Sequence, residues 1–122
     1  MVKSEDLIQQ ECYMWFHNNY PELRGLLFAV PNGGYRTPAE SKKFKLTGVV
    51  SGVSDMLFMY NTHTYCFELK TEIGYQSTKQ KKWQDIVNKH GFNYFIVRDL
   101  KTFKSYILNI INNCSKNIGY GE

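Results

Sequence analysis

The chain has 122 residues, of which 43% are hydrophobic and 16% aromatic, and a net charge of +4. That length supports one domain, 1–122, with a single real core, and the composition fits a well-packed globular protein. No apolar run approaches the ~20 residues that a membrane helix needs, and the mild positive charge permits a polyanionic partner without requiring one.

The predicted elements follow in chain order. Residues 4–19 read as a helix, with Ser4 as N-cap, Glu5 and Asp6 in the first turn and Pro21 just past the end. Ile8, Cys12, Trp15 and Phe16 form its apolar stripe. Met1 to Gln10 is acidic and helical in pattern, so it is no signal peptide. Residues 26–30 read as a strand closed by Pro31-Asn32-Gly33-Gly34. Thr37-Pro38-Ala39-Glu40 is a strong helix start, with Thr as N-cap, Pro at N1 and Glu at N3. That short helix ends near Gly48. Two strands, 56–60 and 64–70, are joined by Asn61-Thr62-His63. Ser77-Thr78-Lys79-Gln80 is a second possible capping box, opening a helix that runs to His90 and stops at Gly91. Residues 92–97 form a fourth strand, and a last helix starts at Asp99, with Phe103, Tyr106, Ile107, Ile110 and Ile111 as its buried side. The order αβαββαβα implies an α/β fold, a mixed sheet flanked by helices.

The hairpin carries the chemistry. With Asn61 and Thr62 at the turn's centre, Tyr60 pairs with His63, and counting back puts Asp55 opposite Glu68. Opposed residues of an antiparallel pair have Cβ atoms about 4.5–5.5 Å apart, and alternation puts Glu68 and Lys70 on one face. Two carboxylates that close repel unless one is protonated or a cation lies between them. Hard oxygen ligands suit Mg²⁺ or Mn²⁺. Lys70 cannot ligate while protonated, but it can orient a water and steady charge on a phosphoryl oxygen, the equipment for metal-assisted phosphodiester hydrolysis. The plainer alternative makes Asp55 a turn residue, and Glu68 and Lys70 a pair on a solvated face.

Two polar residues lie on apolar helix faces. Glu5 shares a face with Ile8, Gln9 and Cys12, and Gln80 with Trp83, Gln84 and Val87. Packed on the sheet, both would enter the interior that holds Asp55 and Glu68. Otherwise Glu5 answers the helix dipole and Gln80 completes a cap. Basic residues flank the hairpin: Arg36, Lys42, Lys43 and Lys45 before it, Lys79, Lys81, Lys82 and Lys89 after it. An acidic centre with basic rims suits a protein that holds phosphates at the rim and metal at the centre. Tyr35 and Tyr75 are candidates to stack on unpaired bases. His17, His63 and His90 lack metal-ligand spacing. Cys12, Cys66 and Cys114 form no C-x-x-C and read as buried thiols in a reducing cytosol.

Glu5-x-x-x-Gln9, Pro31-Asn32, Gly48-x-x-x-Gly52-Val53-Ser54-Asp55, Phe67-Glu68-Leu69-Lys70 and Ser77-x-x-Gln80 follow one another as in VRR-NUC domains. The resemblance spans roughly residues 4–98. It implies a restriction-endonuclease-like fold of the PD-(D/E)xK nuclease superfamily, with Asp55, Glu68 and the main-chain carbonyl of Leu69 as metal ligands. Lys70 would position the water, and Glu5 and Gln80 would support the site. Ser54 stands where the superfamily name has a proline, a position that shapes the turn and supplies no ligand. The implied activity is Mg²⁺- or Mn²⁺-dependent hydrolysis of DNA, leaving a 5′-phosphate and a 3′-hydroxyl. A branched substrate, a homodimer and a cytoplasmic, bacterial or phage-encoded enzyme are the corresponding expectations. The alternatives are a non-catalytic nucleic-acid-binding module of a phage or repair complex, and a structural interaction protein.

Overall fold

A computed structural model describes residues 2–31 and 36–120, with the backbone alone for 114–120. The elements are α1 (Glu5–Asn19), a 3₁₀ turn (Pro21–Leu23), β1 (Leu27–Ala29), α2 (Pro38–Leu46), β2 (Met56–Tyr60), β3 (His63–Leu69), α3 (Thr78–Lys89), β4 (Asn93–Val97) and α4 (Leu100–Tyr120). The order matches the one read from the sequence, with the 3₁₀ turn added. The sheet order is β1-β2-β3-β4, antiparallel for the first two pairings and parallel for β3 with β4. The expected turn at Asn32-Gly33-Gly34, and Tyr35, lie outside the described residues.

Caps explain where the helices begin. The Ser4 hydroxyl accepts from the Leu7 N–H at 3.1 Å. Thr37 with Glu40, and Ser77 with Gln80, form complete capping boxes. The Asp99 carboxylate accepts from the Thr102 N–H at 2.7 Å, which opens α4. β1 is shorter than the expected 26–30, yet its flanks still join the ladder. Val30 N–H donates to the Asp55 carbonyl and Met59 N–H to that of Leu26, both at 2.8 Å.

The hairpin register is the expected one. Tyr60 pairs with His63 and Met56 with Phe67, so one step further brings Asp55 opposite Glu68. β3 starts at His63 rather than Thr64, because the turn is only two residues long. It ends at Leu69, so Lys70 stands one residue past the strand. Asn61 and Thr62 have φ of 51° and 66°, the paired positive values of a type I′ turn, whose twist matches that of the strands.

Strand alternation divides the sheet into two unlike faces. One carries Met56, Phe58, Phe67, Leu69 and Val97 into the main core with Ile8, Cys12 and Phe16 of α1 and Phe103 and Ile107 of α4. Phe16 meets Phe58 edge-on at 5.3 Å between ring centroids, and Phe67 meets Phe103 at 5.1 Å. Tyr106 and Ile111, expected to be buried, are only half-buried at the edge of this core. The other face carries Leu57 and Cys66, which with Trp83 and Val87 of α3 line a small apolar cavity. Burial pushes the Cys12 thiol up to about 12 and raises that of Cys66, so both stay protonated.

The turn supplies a stability test. Thr62 is β-branched and pays for its left-handed backbone. Thr62→Gly should stabilise the protein by about 0.5–1 kcal/mol, the relief of strain exceeding the entropy that glycine adds to the unfolded chain. Chemical denaturation measures this. A loss of stability would mean that the threonine contributes more than its backbone costs.

Candidate active site at the end of the central hairpin

Asp55 and Glu68 face each other where β2 begins and β3 ends. The Asp55 Oδ2 atom accepts from the Leu69 N–H at 2.7 Å, which fixes its carboxylate against the strand end. Glu68 is 1% exposed. Its Oε2 accepts from Gln80 Nε2 at 2.8 Å and lies 3.6 Å from Lys70 Nζ, while its Oε1 accepts from the Tyr94 hydroxyl at 3.3 Å. Lys70 is itself buried, and its Nζ is 4.0 Å from the half-exposed Glu5 carboxylate.

The electrostatics follow from this crowding. Burial foremost, then the charge of Asp55 and a hydrogen bond with its carboxyl, pushes the Glu68 pKa up to about 8, while Lys70 and Tyr94 oppose the rise. Without a cation Glu68 therefore holds a proton at neutral pH beside the Asp55 carboxyl. Burial, then the charge of Glu68, raises the Tyr94 hydroxyl further, so it remains a donor.

Gln80 performs both tasks that the sequence left open. Its Oε1 accepts from the Ser77 N–H at 2.8 Å as part of the cap. The cap thereby turns its amide nitrogen toward Glu68. Glu5 approaches the site through Lys70, because α1 packs on the core face of the sheet and α3 on the opposite one. Lys70, just past the end of β3, is where the two faces meet. Ser54 is fully buried, and its hydroxyl donates to the Met56 carbonyl at 3.1 Å.

The donor set fits a hard cation. Among the described residues, no three His, Cys, Asp or Glu side chains gather as a metal cluster. Two carboxylates with a main-chain carbonyl and waters suit Mg²⁺ or Mn²⁺, which keep part of their hydration shell. A paired acid holding a proton it would lose to a cation is the chemistry such an ion meets.

Of the basic residues, Arg36, Lys45 and Lys79 line one cavity. Lys42 and Lys43 stand exposed on α2, and Tyr75 is exposed in the loop before α3. Three contributors carried no sequence signal. Tyr94 holds Glu68. Gln76 Nε2 donates to Gln84 at 2.8 Å and to the Tyr94 hydroxyl at 3.3 Å. Arg98 donates to the Thr71 and Gly74 carbonyls at 2.7 and 2.8 Å, pinning the loop that follows Lys70.

A pH test follows from Glu68. Its folded pKa lies above the ordinary value of 4.5, so the folded state binds the extra proton between those limits. Stability of the metal-free protein in chelator should fall as pH rises from about 5 to about 8, then level off. Glu68→Gln should remove that slope and melt higher than wild type at pH 8. A wild-type melting temperature independent of pH across this window, with chelator present, would contradict the paired-acid description.

No family model and no curated protein matches the sequence. Among solved structures, a protein described as a VRR_NUC domain protein superimposes with a TM-score of 0.72, covering 88% of each chain at 20% identity. The mixed sheet and its flanking helices are thus shared at the level of the backbone, and the chain has the VRR-NUC fold.

Proposed function

We propose that the protein is a nuclease that hydrolyses DNA phosphodiester bonds with Mg²⁺ or Mn²⁺. The observation that carries this reading is the buried Asp55–Glu68 pair with Lys70 Nζ beside it. Asp55, Glu68 and the Leu69 carbonyl would hold the cation. When bound, it supplies positive charge to a phosphoryl oxygen and makes a water more acidic.

The chain's own groups do the positioning. Gln80 and Tyr94 each donate to one oxygen of Glu68 and fix its orientation. The Lys70 ammonium lies 3.6 Å from Glu68 and 4.0 Å from Glu5, which aims it at the strand end. There it can orient the attacking water and steady charge on the phosphate. Arg36, Lys42, Lys43, Lys45 and Lys79 would hold neighbouring phosphates. A homodimer is the proposed assembly for a branched substrate, because symmetric cutting needs two sites related by a twofold axis.

Asp55→Ala, Glu68→Ala and Lys70→Ala should each reduce cleavage of a DNA panel to background while circular dichroism stays native, since the three serve one reacting unit. Glu5→Ala and Gln80→Ala should cost about 10–100-fold, the usual loss for a supporting partner. Normal turnover in Glu68→Ala would sink the proposed site. A binding module would show DNA affinity but no cleavage at any divalent-ion concentration.

Assembly is a separate matter. Light scattering at micromolar concentration should give twice the chain mass, with four-way junctions cut in preference to linear duplex. A monomer that cuts linear duplex equally well would rule out the junction-resolving version.

A further inference from the structure

We infer that the groove between α2 and α3 is a subsite for an unpaired nucleotide of the bound strand, a reading that rests on the nuclease assignment above. The cavity measures about 740 Å³, within the ~300–1,000 Å³ usual for small-ligand sites. Its lining combines the cations Arg36, Lys45 and Lys79 with the apolar Phe44, Val49 and Val50, and none of its described lining residues is acidic.

Single exposed apolar side chains need no explanation. Here two adjacent valines, 37% and 51% exposed, line the same groove as three cations. A nucleotide offers the matching pair of chemistries, a phosphate and an apolar base face. Regular duplex keeps its base faces stacked and presents phosphates outward, which would leave the apolar lining unmatched. The Arg36 guanidinium lies 4.4 Å from the centre of the Phe44 ring, so a planar cation and an aromatic face are already in place for stacking.

The groove is built before any ligand arrives. α2 ends in a Schellman motif: Val49 N–H donates to the Phe44 carbonyl at 2.8 Å and Gly48 N–H to that of Lys45 at 3.4 Å, with Gly48 at φ +97°. That motif fixes Phe44 and Val49 relative to each other. Gly52, at φ +86°, lies against the start of α3 so closely that a Cβ would come 2.4 Å from the Lys79 carbonyl oxygen. The two glycines of the Gly-x-x-x-Gly segment therefore set the two walls. Lys79 lines the groove and the next residue, Gln80, holds Glu68, so a nucleotide seated there adjoins the candidate active site.

Fluorescence anisotropy in chelator tests this without cleavage, using the full chain and three hairpin duplexes. One ends blunt, one carries a four-nucleotide single-stranded tail, and one carries the same tail without bases. The normal tail should raise affinity about tenfold, within the range that stacking of one base supplies, and the abasic tail should recover little of that gain. Val50→Asp should remove the gain while keeping a native circular-dichroism spectrum.

No gain from the tail, equal gain from the abasic tail, or full gain in a folded Val50→Asp protein would each overturn the subsite. So would displacement of the tailed probe by polyglutamate as readily as by oligonucleotide, which would assign the groove to acidic peptides. The abasic comparison needs no variant, so it decides the matter even if Val50→Asp fails to fold. A tail gain in a protein that cleaves nothing would overturn the nuclease reading and support the subsite. Cleavage without a tail gain would do the reverse.

Discussion

The carboxylate of Glu68 has to be buried at a strand end, within reach of a second carboxylate, and the rest of the molecule accommodates it. A charge removed from water needs partners, and three parts of the chain supply them. α3 presents Gln80, β4 presents Tyr94, and the chain just past β3 presents Lys70. Even so, burial and the neighbouring acid leave Glu68 holding a proton that an ordinary glutamate would lose. A core built for stability alone would place an apolar side chain there. Local expense of this kind is what a functional position would show.

The hairpin was legible because its register depends on local chemistry. A two-residue turn at Asn61-Thr62 sets the pairing, and a slip of one residue would have sent Glu68 into the main core. The helix starts were legible because capping boxes are written in residues three apart. Tyr94 was not legible. Its strand position says which face it occupies, but nothing in its neighbourhood says that an acid waits beside it across a parallel pairing. The approach of Glu5 to Lys70 was not legible either, because an apolar helix stripe does not say which side of a sheet it covers. Of the basic residues that flank the hairpin, Arg36, Lys45 and Lys79 line one cavity, a grouping that their spacing along the chain does not show.

Gly52 links the two halves of the proposed chemistry. Its close approach to Lys79 fixes the start of α3, and the start of α3 aims both Lys79 at the groove and Gln80 at Glu68. A shift of the first turn of α3 would disturb the groove and the carboxylate together. The cap at Ser77 adds to this coupling, because the same glutamine closes the helix end and holds the acid. The proposed substrate positioning and cation binding would therefore share one joint.

Asp55 and Glu68 are proposed to hold one divalent cation in place of the proton on Glu68. The most direct measurement is calorimetric titration of Mn²⁺ into the wild-type protein at pH 7, repeated in two buffers of different ionisation enthalpy. Metal binding to protonated ligands releases protons. The expected result is one site that releases about one proton per ion in wild type and is absent in Asp55→Ala. Binding without proton release, or equal binding by Asp55→Ala, would contradict it.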